Sequence, residues 1–133
     1  HQVHAGLPAG LILGHEVAAR IVEVGAEVKC FKPGDVVAVG AVTPDYLTPE
    51  IQDNLTQHSG GQNGGMNWCV FENGTFAEYF RIRQVDLNAC PIPEGLSYEH
   101  AVMAADMCTT GFHGAELANI QFGDTVVVCG IGR

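Results

Sequence analysis

A chain of 133 residues suffices for one domain with a sizeable core, and a hydrophobic content of 47% excludes a disordered one. Six basic against fifteen acidic residues leave a net charge of −9, which excludes the electrostatic footprint of a nucleic-acid or anionic-lipid binder, and no apolar run approaches the roughly 20 residues of a membrane span. The five cysteines are widely spaced and form no CxxC pair, the usage of reduced thiols in a cytoplasmic protein rather than of a disulfide framework.

In chain order, "LILGHEVAARIV" (11–22) is apolar nearly throughout yet carries His15 and Glu16 side by side. Residues 17–24 are β-branched and partly alternating, which predicts a strand. "GAEVKCFKPGD" follows as a turn-rich connection, with Lys32-Pro33-Gly34-Asp35 its strongest turn signal. "VVAVGAV" (36–42) predicts a second strand, and the two together suggest antiparallel pairing at the start of a small barrel or sandwich. Residues 43–74 are polar and rich in Gly, Asn and Gln, the composition of a functional lobe or a mobile loop. Strand character returns in "TFAEYFRI" (75–82). After the loop "PIPEGLS", Ser97 stands as an N-cap with Glu99 in the first turn of a helix through "YEHAVMAA". "TTGFHGAELANI" predicts a second helix, and "DTVVVCGIG" an apolar strand over 125–129 running into Gly-x-Gly. The chain thus passes from a β-rich region to the opening of an α/β unit, and both ends read as cut from something longer.

Three places carry chemistry, and each has an ordinary explanation beside it. His15 is either a core histidine held by a hydrogen bond, with Glu16 turned to solvent on the opposite face, or a metal ligand with an acidic neighbour. Asp106, between an apolar helix and a Thr-Thr-Gly turn, is either the N-cap of the helix beginning near Thr109 or a ligand. The terminal Gly-x-Gly is the first half of a dinucleotide fingerprint whose third glycine is absent.

Taken in this order, Gly14-His15-Glu16 with Gly25 and Val28, "FKPGDVV", "TPDY", "QHSGG", "DMCTTGFHGAELANI" and "VVVCGIG" resemble the zinc-dependent medium-chain alcohol dehydrogenases. Within that family the match is to the NADP-dependent secondary alcohol dehydrogenases of bacteria and anaerobic protists. Ala19 departs from the family pattern, where glycine is usual. The resemblance implies a β-rich, GroES-like partial barrel with helices over residues 1–118. A truncated α/β Rossmann domain for the dinucleotide would begin over 119–133.

The resemblance also implies roles. His15 and Asp106 are expected to be ligands of one catalytic zinc, with Glu16 beside the metal and entering its shell when substrate is absent. The first ligand, a cysteine in the family, lies upstream of residue 1, and His1 is expected to belong to the proton relay. Thr110 is expected to pack on the nicotinamide ring of NADP(H), with Gly130 and Gly132 under the pyrophosphate. The substrate is expected to be a small secondary alcohol or ketone, with no nucleic acid and no membrane as partner, and the full-length protein a homotetramer. Between Gly40 and Phe76 only Cys69 occurs, so the four-cysteine structural zinc of liver-type relatives is not expected.

His58 and His100 are expected at the surface and His113 in helix packing, and His4 receives no role. Alone, the 133 residues are expected to bind zinc poorly, to leave ketones unreduced, and to have the strand 125–129 exposed or disordered unless other chains cover it. The alternatives are a formaldehyde dehydrogenase or dismutase, which also carries aspartate as a zinc ligand, and a zincless GroES-like binding module.

Overall fold

The computed structural model describes residues 8–59 and 70–130. Three short strands, β1 (Val17–Arg20), β2 (Val36–Val39) and β3 (Ala89–Pro91), form one antiparallel sheet with β2 in the centre. In the register, Val17 faces Val39 and Arg20 faces Val36 across β1 and β2, and Val37 faces Pro91 across β2 and β3. The strand period is visible in β2: Val37 and Val39 are 2% and 1% exposed, whereas Val36 and Ala38, which alternate with them, are half-buried. Ala41, Ala101 and Ala105 complete the buried apolar set among the described residues.

The β1–β2 connection closes as the local sequence requires. The Asp35 N–H donates to the Lys32 carbonyl (3.2 Å), Pro33 presets the first central position, and Gly34 takes φ +99 at the second. This is a type II turn, and the positive φ favours glycine there. Asp35 Oδ2 accepts from the Lys32 N–H (2.9 Å), and Arg20 donates to the Gly34 carbonyl (2.8 Å). The connection is also tied at its middle, where the Asp86 carboxylate accepts from the N–H groups of Lys29 (2.8 Å) and Cys30 (3.0 Å). Asp86 lies on α2 (Val85–Asn88), which follows α1 (Pro49–Gln52).

Ser97 caps α3 (Tyr98–Ala101) as its sequence indicates, its hydroxyl accepting from the His100 N–H at 3.4 Å. A 3-10 turn over Val102–Ala104 interrupts what the sequence suggests is one helix. The segment rests on the sheet, α3 against β1 and the 3-10 turn against β2, and the Ala41 N–H donates to the Ala105 carbonyl (3.0 Å). The second helix, α4, spans Met107–Leu117, starting two residues earlier than expected. It ends where Asn119 adopts φ +48, a left-handed stop that asparagine tolerates.

Several expectations are corrected. The first two strands stop at Arg20 and Val39 rather than running to 24 and 42. The strand expected over 75–82 does not form. Instead Gly74, Thr75 and Phe76 donate to the carbonyls of Ile12, Gly14 and Leu13, at 2.7, 3.1 and 2.9 Å. Regular pairing is broken there because Gly14 takes φ +105 and the two backbones come together more closely than side chains allow. A Cβ on Gly74 would lie 2.1 Å from the Gly14 carbonyl oxygen.

The strand expected over 125–129 is also absent, so the Rossmann extension is not part of the observed fold. An apolar strand of a parallel sheet needs neighbours on both sides, and Val126, Val127 and Val128 are instead 52%, 81% and 65% exposed. That exposure agrees with the expectation. The polar segment after Val42 is knotted by hydrogen bonds in its described part. The Asp45 N–H donates to the buried Ser59 hydroxyl (3.0 Å), which donates to the Thr56 carbonyl (2.8 Å). Among the described residues, no helix is long and apolar enough to cross a membrane.

Candidate active site

His15 precedes β1, and its backbone is bracketed. The Thr75 N–H donates to the carbonyl of Gly14 (3.1 Å), and the Thr75 hydroxyl donates to that of Glu16 (3.2 Å). Gly14 has no room for a side chain, since a Cβ would meet Thr75 Oγ1 at 2.5 Å and Phe76 Cδ1 at 2.7 Å. Sequence reasoning missed Thr75. A short hydroxyl residue beside Gly74 carries no local pattern that distinguishes a clamp from a strand position.

Asp106 stands at the N-cap of α4 with φ −142 and ψ −65. Its carboxylate does not accept from the helix N–H groups, as an N-cap aspartate ordinarily would. Oδ2 lies 3.1 Å from His15 Nε2, a contact between residues 91 apart in sequence, and Oδ1 accepts from the Thr110 hydroxyl at 2.7 Å. Both His15 and Asp106 are 28% exposed at the side chain. With Asp106 ionised, acceptance at Oδ2 requires the proton to sit on His15 Nε2. The helix start places partial positive charge beside the carboxylate. The ordinary explanation of Asp106 fails in detail, since its side chain caps nothing, whereas His15 is held by a hydrogen bond, to an acid 91 residues away in sequence.

The donor set fits a divalent cation. Two ligands of a tetrahedral zinc at 2.0–2.1 Å stand about 3.3 Å apart, close to the observed 3.1 Å. An imidazole nitrogen and a carboxylate oxygen are zinc donors, and the partial exposure leaves one side open. The third expected member does not join them. Among the described residues no three His, Cys, Asp or Glu side chains form a group that could hold a metal, so Glu16 is not drawn to a common centre with His15 and Asp106.

An open cleft of about 760 Å³ runs along α4, lined by Asp106, Thr109, Thr110 and His113 on the helix and by β2 and Cys90 opposite. His113 is exposed on this cleft rather than packed, which corrects the expectation for it. It stands seven residues from Asp106 on the same helical face, the spacing of two turns. His58 and His100 are exposed as expected, Gly130 takes φ +70, and His1, His4, Cys69 and Gly132 lie outside the described residues. A second cavity, of about 620 Å³, is lined by Leu11, Phe71, Glu72, Tyr79 and Arg81, and none of the candidate residues reaches it. Beside it, burial acts to raise the Glu72 carboxyl, but hydrogen bonds from Arg81 (3.1 Å) and Arg83 together with their charges hold it below the usual range.

Compared with known proteins, residues 1–94 match the alcohol dehydrogenase GroES-like domain family. NADP-dependent isopropanol dehydrogenases of Clostridium beijerinckii and of Thermoanaerobacter brockii are each 52% identical over 122 residues, covering 92% of this chain and 35% of theirs. An alcohol dehydrogenase from Thermus sp. ATN1 superposes with a TM-score of 0.78 at 26% identity, over 93% of this chain and 37% of its own. The chain belongs to the alcohol dehydrogenase GroES-like domain family and is similar to NADP-dependent isopropanol dehydrogenases. It spans about a third of the length of these curated relatives.

Proposed function

We propose that this chain supplies two ligands, His15 and Asp106, to the catalytic zinc of an NADP-dependent dehydrogenase that interconverts small secondary alcohols and ketones. The observation that carries the reading is the 3.1 Å approach of His15 Nε2 to Asp106 Oδ2. The names of the similar dehydrogenases support the substrate class and the cofactor.

A zinc ion so bound supplies a Lewis acid for the alcohol or ketone oxygen. The chain's own residues do the rest. Thr75 fixes the backbone on both sides of His15, so the imidazole is presented without a search through loop conformations. Asp106 contributes negative charge that offsets the cation. Glu16 sits next to His15 in sequence and takes a supporting role near the metal. Thr110 lines the cleft and would pack against the nicotinamide ring of a bound cofactor. Gly130 and Gly132 open the turn beneath the pyrophosphate, at the start of a dinucleotide domain over 119–133. His1 serves the proton relay. A single zinc without a structural companion, a tetrameric assembly and a cytoplasmic location complete the proposal.

The test is calorimetric zinc titration of the chain and of His15→Ala and Asp106→Ala. We expect weak binding by the parent, whose described residues bring together no third donor, and at least a tenfold further loss in either variant. Equal binding by all three proteins would favour a zincless binding module. The 133 residues alone are expected to show no NADPH-dependent ketone reduction.

A further inference from the structure

We propose that Thr110 is a positioning residue for Asp106: its hydroxyl holds Oδ1 away from the shared centre, so the carboxylate presents Oδ2 alone toward His15. The inference rests on the reading of His15 and Asp106 as metal ligands. It is carried by the way two adjacent threonines divide their bonds. Thr109 makes the ordinary helix-start contact, its hydroxyl donating to the Asp106 carbonyl at 2.7 Å. The same carbonyl accepts the Thr110 N–H at 2.8 Å. With that oxygen already shared, the Thr110 hydroxyl turns to the carboxylate and donates to Oδ1 at 2.7 Å.

The distance is that of a hydrogen bond to an anion. A carboxylate with both oxygens free can bind a cation through either or both. One with Oδ1 engaged is reduced to a single donor of fixed direction, and Oδ2 is the oxygen that lies 3.1 Å from His15 Nε2. The arrangement also accounts for the absent cap: the bond to Thr110, one turn along, draws Oδ1 away from the N–H groups that an N-cap aspartate would otherwise serve. Thr110 is exposed on the cleft, so its replacement by the isosteric valine removes a hydroxyl and little else.

The test is Co²⁺ titration of the 133-residue chain, read as paramagnetic broadening of the amide signals of residues 14–16 and 105–107. In the parent both groups are expected to broaden together. Thr110→Val is expected to need about tenfold more Co²⁺ for the same broadening, the lower end of what an orienting partner contributes to metal affinity. Thr110→Ser, which keeps the hydroxyl, is expected to restore the parent behaviour to within about twofold of its midpoint. Thr110→Ala replaces the valine variant if valine disturbs the signals of β2. Parent-like titration by Thr110→Val, with broadening lost in His15→Ala, would overturn the positioning role and leave the ligand reading intact. Failure of Thr110→Ser to recover would equally overturn it. Broadening indifferent to His15→Ala would remove the ligand reading and this inference with it.

Discussion

The sheet region and the segment after Asp106 have similar apolar content and treat it in opposite ways. In β2 alternate valines are almost completely covered, whereas every residue from Met107 to Gly130 is exposed, with Phe112 at 76% and Val127 at 81%. The sheet is held by burial, and α4 is held at its start by a few directed bonds: Ala41 to Ala105, and Asp106 to His15 and Thr110. In this chain, therefore, the polar pair is also the joint between its two halves. A change in the sheet should unfold it, and a change at Asp106 should free a helix.

The largest effect is expected at Gly74, where a methyl group would collide with the Gly14 carbonyl. Gly74→Ala should cost roughly 3 kcal/mol or more, as overpacking against backbone does, and a chemical denaturation curve reads it. Gly14→Ala combines the clash with a positive φ and should behave alike. Next, Val39→Ala should cost about 2 kcal/mol through a lost core contact, whereas Val127→Ala should stay within about 0.5 kcal/mol. Equal costs at these two positions would erase the contrast between the regions. Asp106→Ala comes third. Amide exchange in residues 107–117 should quicken several-fold while that of β2 holds, and unchanged exchange in α4 would show that something else anchors the helix.

The smallest effect concerns acid. Backbone N–H donation from Cys30 and then from Lys29 holds the Asp86 carboxyl below its ordinary value of 3.8. A lowered native pKa stabilises the folded form above the unfolded value, and that gain disappears as pH falls through the native one. The amide shifts of Lys29 and Cys30 should therefore move at a pH below 3.8, and Asp86→Asn should abolish the titration while leaving the sheet folded. Movement centred above that value would contradict the clamp.

What could be read from the sequence divides by range. The Lys32–Asp35 turn and the Ser97 cap were legible because proline, glycine and serine act on the backbone within three residues. Strand β3 was not, because three residues ending in proline carry too little pattern and Pro91 is tolerated only because the strand is an edge. The strands expected over 75–82 and 125–129 have the composition but lack regular partners, which local composition cannot report. His113 sits in an apolar helix and was expected to pack, yet its face opens on the cleft. The pairing of His15 with Asp106 spans 91 residues and has no periodic signature. It came into view through the family resemblance, which named Thr110 only as a nicotinamide contact; Thr75 and the bond from Thr110 to Asp106, which hold the pair from either end, emerged only from the geometry.

The most direct measurement is a crystal structure of the zinc-soaked chain with anomalous data collected at the zinc edge. Joint ligation predicts a peak about 2.0–2.2 Å from both His15 Nε2 and Asp106 Oδ2, with Oδ1 still bonded to Thr110. A peak on other residues, or an intact His15–Asp106 hydrogen bond at saturating zinc with no peak beside it, would contradict the account.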